Sequence, residues 1–368
     1  MKTSQDLFQE RLNRIQTAVA LGRPDRVPVV TTCTGFAARY TGTKMAEFCA
    51  NPKLAAEIML STIQEMGEID GTQFALFSPY LLSMGMGCKV DIPGVELHED
   101  MPYQIHETEL MKESDYDFII EKGYDEFYEK HLEENLPDTL AHLGEAFEAL
   151  PQATMNVIQA GLPILSPAIA AIPFEQFSGI RSMARFVSDT FRIPEKVLEA
   201  SEIAMESTLS TLKATIQQTH PMGVFIGFGR SNRGSLSKRQ QEKFVYPHFR
   251  RIVDAVIAEG AIPLLHCDQD WTQDAEFLLS LPKGKCILQL DGASDIFALK
   301  KSVGHHMCLM GDVQAAKLAL GTPDEVYAYS RRLVEEVGPE GFILSQGCDM
   351  PTNAKAENYK AMVSAVHA

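Results

Sequence analysis

The stretch AIPLLHCDQDWT, residues 261–272, decides the fold of this chain. Five mostly apolar residues lead to His266 and polarity then changes abruptly, which is typical of a buried strand that ends at a functional site. A second ending of this kind lies in Phe342–Asp349, where an apolar run leads to Cys348. A histidine and a cysteine at the ends of two strands are candidate ligands for one metal ion.

Outward from this stretch, the last hundred residues alternate between strand and helix patterns. Four consecutive βα units predict a parallel sheet with helices outside it. The predicted strands are Ala261–His266, Cys286–Asp291, Met307–Met310 and Phe342–Ser345, and the predicted helices are Gln273–Leu281, Asp295–Val303, Gln314–Leu320, Pro323–Val337 and Ala356–Val366.

Four further strand patterns lie upstream, at Val27–Val30, at Thr72–Phe77, within Leu162–Ile169 and at Gly223–Phe228. Eight strands predict an α/β fold, a (β/α)8 TIM barrel spanning residues 1–368 as a single domain with an N-terminal helical extension. The alternative is an open doubly wound sheet, but no Gly-x-Gly-x-x-Gly follows a strand, which disfavours dinucleotide binding.

Segment 96–138 is dense in Asp and Glu, with three lysines to offset them. We interpret it as an acidic insertion, either a solvated helical segment or a lid or docking surface over the barrel mouth.

Composition argues against several classes of partner. The 368 residues carry a formal charge of −16, which argues against nucleic acid and anionic membranes as partners. Seven widely spaced cysteines without a Cys-x-x-Cys pair predict no disulfide framework, and hence a reducing cytoplasm. We find neither a signal-peptide pattern nor an apolar stretch long enough to span a bilayer.

Polar residues at the ends of the four late strands predict one site, because the carboxyl ends of barrel strands share a face. They are His266 with Asp268, then Asp291, then Asp312, then Cys348 with Asp349. Histidine, cysteine and a carboxylate form a donor set that suits zinc. Each also has a structural interpretation: a hydrogen-bonded histidine, a core cysteine, or an aspartate that caps a helix. Arg230, in a Gly-rich turn, either binds a substrate carboxylate or phosphate or is solvated.

An ordered set of motifs resembles a known family. The turn Arg23–Pro28, then Leu309–Val313, Leu320–Val326, Gly341–Pro351 and Glu357–Met362 follow the pattern of the uroporphyrinogen decarboxylase superfamily, and specifically its corrinoid-dependent methyltransferases. The resemblance implies a TIM barrel and an enzyme that exchanges methyl groups with a corrinoid (cobalamin) carried by a partner protein. The true decarboxylases are a poorer match, since their N-terminal loop is rich in arginine and Thr31–Tyr40 contains only Arg39.

The resemblance also implies a zinc site. Thiol-methylating members carry His-x-Cys and a later Cys, which correspond here to His266, Asp268 and Cys348. Cys267 is one residue too early and should face away from the other two, since adjacent residues of a strand point to opposite sides. A carboxylate in place of a thiolate makes zinc a harder Lewis acid, which suits an ether oxygen better than a thiol.

The run His-x-Asp-x-x-Trp-Thr resembles the O-demethylase methyltransferases of anaerobic bacteria, which act on aryl methyl ethers. The resemblance thus implies that methyl groups pass from a methoxylated aromatic to the cobalt(I) of a separate corrinoid protein.

We assign Asp291 to catalysis or to support of the ligands, and expect a homodimer. Residues assigned to substrate binding are Arg230 and the aromatic side chains Phe36, Tyr40, Phe228, Phe174 and Phe177. Alternatives are methyl transfer from a methylcorrinoid to an acceptor, a metal-free decarboxylase, and a non-enzymatic scaffold.

Overall fold

The computed structural model describes residues 2–367, in which short strands alternate with helices. The strands are β1 (Val30–Thr31), β2 (Gly71–Thr72), β3 (Lys89–Asp91), β4 (Gln104–His106), β5 (Ala168–Ala170), β6 (Gly223–Phe228), β7 (Ile262–Cys267), β8 (Ile287–Leu290), β9 (Cys308–Val313) and β10 (Phe342–Gln346).

The helices run along the chain between these strands. They are α1 (Ser4–Val19), α2 (Gly35–Thr41), α3 (Met45–Ala50), α4 (Pro52–Glu65), α5 (Pro79–Met86), α6 (Ser114–Lys122), α7 (Tyr124–Asn135), α8 (Pro137–Gln159), α9 (Pro173–Ile180), α10 (Met183–Arg192), α11 (Pro194–Thr219), α12 (Lys238–Phe244), α13 (Tyr246–Ala258), α14 (Ala275–Leu278), α15 (Ile296–Ser302), α16 (Ala315–Leu320), α17 (Pro323–Glu336) and α18 (Ala356–Ser364). No helix within residues 2–367 is both long and apolar enough to cross a bilayer.

Eight of the strands close into a parallel barrel. Strands β5 to β10 form one sheet in chain order, and β1 pairs with β2. Two bridges join these sheets, since Val29 pairs with Leu344 of β10 and Thr72 of β2 pairs with Ile164, just before β5. The predicted (β/α)8 barrel is therefore confirmed, and the open doubly wound sheet, which would leave two free edges, is excluded.

The barrel interior is apolar at one end. Inward-facing residues of the strands form a buried cluster that includes Val30, Leu264, Ile287 and Ile343. Ile15, Ala18 and Val19 of α1 join this cluster and close the barrel at the end where its strands begin. Side chains alternate along a strand, so the residue two positions after each of these apolar residues also faces the interior. These later positions lie nearer the carboxyl ends of the strands, and several of them are polar.

Segment 96–138 contributes both to the core and to the barrel mouth. Its helices α6 and α7 pack against α11, and Tyr116, Tyr124 and Phe127 are buried in the main hydrophobic core. Strand β4 pairs antiparallel with β3 and leads from Tyr103, beside the loop after β1, to Glu107, beside the loop after β6. The segment is thus less solvated than its acidic composition indicates, because its aromatic residues face inward.

Several element boundaries differ from those predicted. The sequence predicts one strand over Thr72–Phe77, but β2 ends at Thr72. The backbone of Gln73 still bonds to Thr31 and Ser166, and the chain then bends through buried Ala75 and Leu76. In place of the single helix predicted at Gln273–Leu281, the structure has a 3-10 turn at Thr272–Asp274, followed by the short helix α14. The apolar run predicts the burial of Ala75 and Leu76 correctly, but not the residue at which the strand ends.

Candidate metal centre

His266 lies at the carboxyl end of β7 and points into the barrel. It follows the inward-facing Leu264 by two residues and is 7% exposed. Its neighbours in the sheet are Gly227 of β6 and Gln289 of β8, and the Phe225 ring lies 5.1 Å from its own. The buried strand thus fixes the imidazole at the base of the mouth.

Asp268 lies on a tight loop after β7. The Trp271 indole N–H donates to the carbonyl of Asp268 at 2.9 Å, and the Trp271 amide donates to Ser294 at 2.9 Å. Both carboxylate oxygens of Asp291 accept hydrogen bonds from backbone amides, one from Gln269 at 2.9 Å and one from Ala293 at 2.8 Å. Asp291, predicted to be catalytic or supporting, therefore ties this loop to the end of β8.

Cys348 reaches the same place from the loop after β10. An added Cβ at Gly347 would overlap the carbonyl oxygen of Asp291, so a glycine allows this loop to approach β8 closely. On the other side, the Asp349 carboxylate accepts the amide of Thr34 at 3.1 Å and also the Thr34 hydroxyl. Burial raises the pKa of Asp349 to about 6, although the hydrogen bonds from Thr34 lower it.

The three side chains predicted to bind zinc converge. One ligand atom each from His266, Asp268 and Cys348 lies within 4.8 Å of the other two, and His266 Nε2 is 3.2 Å from Asp268 Oδ1. Burial alone lowers the pKa of His266, but hydrogen bonds and negative charge from Asp268 and Cys348 outweigh it and raise the pKa to about 10. The arrangement therefore favours a positive charge among these groups.

This donor set fits a zinc ion. Ligand atoms of a tetrahedral zinc lie about 3–4 Å from one another. The ligand atoms here are within 4.8 Å of one another, and His266 Nε2 and Asp268 Oδ1 are 3.2 Å apart. Cys348 is exposed and Asp268 half-exposed, so the cluster opens toward the barrel mouth. Three protein ligands with an open side are the pattern of catalytic rather than structural zinc sites. Cys267 lies apart from them, buried in the core between barrel and helices.

The aromatic residues assigned to substrate binding lie away from the metal cluster. Phe228 is fully buried and stacks on Phe249, with ring centroids 3.7 Å apart. Phe36 packs against Tyr359 and Tyr40, and the Tyr40 hydroxyl bonds to Glu65 at 2.8 Å.

Two further aromatic assignments and the arginine are also accounted for. Phe174 and Phe177 are buried in the core around Phe186. The Arg230 guanidinium donates to the carbonyl of Ser178 at 3.2 Å and lies 3.5 Å from Glu107. Apart from Arg230, these residues belong to the helical layer. Four of them lie on helices α2 and α9, and Phe228 faces outward because side chains alternate along β6.

Other residues line the mouth beside His266. The Phe74 and Phe225 rings meet edge to face at 5.5 Å, and Ile169, the sheet neighbour of Phe225, is 62% exposed. Together they form an apolar wall next to the polar cluster. Alternation along β6 could have identified Phe225 from its inward register, whereas nothing in the sequence marks Phe74 or Ile169.

Comparisons with known proteins agree with this architecture. The family model of uroporphyrinogen decarboxylase (URO-D) matches residues 11–368. A uroporphyrinogen decarboxylase of Syntrophotalea carbinolica is 23% identical over 333 residues, which cover 88% of this chain and 86% of that protein. A methyltransferase from Methanosarcina mazei superposes with a TM-score of 0.72 at 17% identity, covering 99% of this chain and 98% of the other. At that identity, the structural likeness shows a shared fold.

Proposed function

Because the chain belongs to the uroporphyrinogen decarboxylase family, we propose that it is a zinc-dependent methyltransferase that demethylates aryl methyl ethers. The methyl acceptor is the cobalt(I) of a corrinoid carried by a separate protein. The observation that carries the proposal is the open cluster of His266, Asp268 and Cys348 beside the apolar wall of Phe74, Phe225 and Ile169.

Each part of the site has a task in this proposal. His266, Asp268 and Cys348 hold the zinc, which supplies Lewis acidity that makes an aryl ether a better methyl donor. Phe225 and Phe74 pack against the arene and exclude water from its methoxy group. Asp291 keeps the Asp268 loop in place through its two amide hydrogen bonds.

The charge of the ligand set supports an oxygen-bound methyl donor. A carboxylate and a thiolate with a neutral imidazole balance the charge of Zn²⁺, as two thiolates would, but the carboxylate is the harder ligand. Reverse transfer, from a methylcorrinoid to an acceptor, would use the same site. Decarboxylation of a porphyrinogen needs several cations for its carboxylates, whereas the Arg230 guanidinium is already engaged by Ser178 and Glu107.

Two measurements test the proposal. Metal analysis of the purified protein should find one zinc per chain. The protein is then mixed with a reduced corrinoid protein and a panel of methyl donors, and methylation of the corrinoid is followed by its absorbance. We expect reaction with guaiacol- or veratrole-type ethers. Reaction with methylamines, methanol or methyl thiols alone would refute the aryl-ether assignment, and metal-free decarboxylation of uroporphyrinogen would refute the whole proposal.

A further inference from the structure

A layer of polar side chains lies inside the barrel, directly beyond the apolar interior. Thr32, Gln73 and Gln289 each follow an inward-facing position by two residues, namely Val30, Gly71 and Ile287. All three are buried and lie at the level of His266. Buried polar groups are costly unless they are hydrogen-bonded, so the partners of each one are informative.

Hydrogen bonds link these three side chains in a row and fix which atom of each amide is the donor. The Thr32 hydroxyl donates to Gln73 Oε1 at 2.6 Å, and Gln73 Nε2 donates to Gln289 Oε1 at 2.6 Å. The amide oxygen of Gln289 is therefore engaged, and its amide nitrogen must point elsewhere. Gln289 Nε2 is buried and has no hydrogen-bond partner among the described residues. Leaving such a buried donor unpaired destabilises the folded protein, so a ligand that accepts from it is favoured.

The free amide nitrogen belongs to the side chain next to the metal cluster. Gln289 and His266 are register neighbours on adjacent parallel strands, with side chains on the same face of the sheet. Within residues 2–367, His266 Nδ1 is likewise buried without a partner, while its Nε2 lies toward Asp268. The Phe225 ring packs against His266 from the other neighbouring strand. Two buried side chains, each with an unpaired nitrogen, therefore occupy neighbouring strands beside the metal cluster.

We propose that Gln289 is a specificity-determining residue whose amide donates a hydrogen bond to an oxygen of the methyl donor, and that Thr32 and Gln73 position this amide. The inference rests on the proposed function for the identity of the methyl donor. It specifies that the donor is an aromatic with an oxygen acceptor at the ring, which Gln289 binds while the ring lies against Phe225.

The chemistry gives this hydrogen bond a role in rate as well as binding. When the bond between the ether oxygen and the methyl carbon breaks, its electron pair remains on the oxygen, and the methyl group passes without that pair to the electron pair of the cobalt(I) acceptor. The oxygen becomes a phenolate, so a fixed N–H donor stabilises it more than the neutral ether. A donor held by Thr32 and Gln73 needs no reorganisation as the charge develops.

Binding of catechol and guaiacol to the zinc-loaded full-length protein tests the proposal directly. Calorimetry would compare wild type with Gln289→Met, which keeps the shape and removes the amide, and Gln289→Glu, which replaces the donor by an oxygen. We expect both to bind catechol about ten- to a hundredfold more weakly at unchanged zinc content. Gln73→Leu should weaken binding less, since it only frees the orientation of Gln289.

Gln240→Met provides a matched control. Gln240 is also buried, and its amide bonds to Thr190 at 2.8 Å in the helical layer, so its loss should lower stability without changing catechol affinity.

With guaiacol as methyl donor, Gln289→Met should lower kcat on the order of a hundredfold and KM less.

Two results would overturn the inference. One is wild-type affinity for catechol in Gln289→Met or Gln289→Glu, and the other is a wild-type protein that binds neither phenol. Failure of the proposed function is recognised separately, since it means that no aryl ether methylates the corrinoid, whatever the phenol affinities are.

Discussion

Cys267 and Cys348 are both free thiols near His266. Cys267 follows it in the sequence but faces the helices, whereas Cys348 is distant in the sequence and lies beside it at the barrel mouth. Cys348 is exposed at the mouth, whereas Cys267 is fully buried against the helices, where burial raises its pKa well above the ordinary value. Of the two, Cys348 is therefore the one whose position allows it to reach a metal ion at the barrel mouth.

Substitution of the two cysteines should separate these roles. We expect Cys348→Ala to weaken zinc binding by more than about a hundredfold, since even residues that merely orient ligands are worth 10- to 100-fold. Cys267→Ala should keep its zinc and lose about 1 kcal/mol of stability. Metal analysis and denaturation measure both. Full zinc occupancy in Cys348→Ala would remove Cys348 from the ligand set.

Gly347 controls how closely the Cys348 loop approaches β8. Gly347→Ala forces a Cβ against the carbonyl oxygen of Asp291 and should cost about 2 kcal/mol of unfolding free energy, together with weaker zinc binding. Gly144→Ala is the matched control, because an added Cβ in the middle of α8 would meet no atom within 4 Å beyond its chain neighbours and the adjacent backbone of its own helix. It should stabilise the protein by about 0.5–1 kcal/mol. Equal behaviour of the two variants would contradict the close approach.

At the scale of elements, a buried contact links β9 to α17. The Tyr329 hydroxyl donates to Asp312 at 2.7 Å, and Asp312 is 2% exposed. Burial raises the pKa of Asp312 from 3.8 to about 7, although the bond from Tyr329 lowers it. The folded state therefore favours the protonated carboxyl, and this contribution to stability is present below pH 4 and is lost as pH rises toward 7.

Asp312→Asn should remove this pH dependence, because the amide is neutral and its oxygen still accepts from Tyr329. Urea denaturation between pH 5 and pH 8 should show a flatter profile for the variant, with a relative gain on the order of 2 kcal/mol at pH 8. Asp324→Asn, an exposed carboxylate on α17, should follow the wild-type profile. Parallel profiles for Asp312→Asn and wild type would show that Asp312 is ionised without cost.

At the scale of the whole molecule, α1 seals the barrel at the end opposite the candidate metal centre. Ile15 is fully buried inside the strand ring, and Gln16 beside it is exposed. Ile15→Ala should destabilise the protein by about 2–4 kcal/mol while zinc content stays the same. Gln16→Ala should change stability by less than about 0.5 kcal/mol. Loss of zinc in Ile15→Ala at full folding would show that the two ends of the barrel are coupled.

The sequence by itself determined the barrel and the part of the site that follows strand periodicity. Apolar runs that end in polar residues predict His266, Asp268 and Cys348 at one face, because parallel strands in a barrel share the direction of their carboxyl ends. The same alternation predicts that Cys267 faces away from His266. These features depend on local pattern and on the order of elements, both of which can be read along the chain.

Tertiary structure alone decided what surrounds these residues. Gln73 and Gln289 are 216 residues apart, and their hydrogen bond exists only because the barrel brings β2 and β8 across one interior. Phe74 reaches Phe225 only where the chain bends after β2, and Phe228 lies in the core because of the register of β6. Such contacts join distant segments, and no local pattern encodes which side chains meet when a sheet closes on itself.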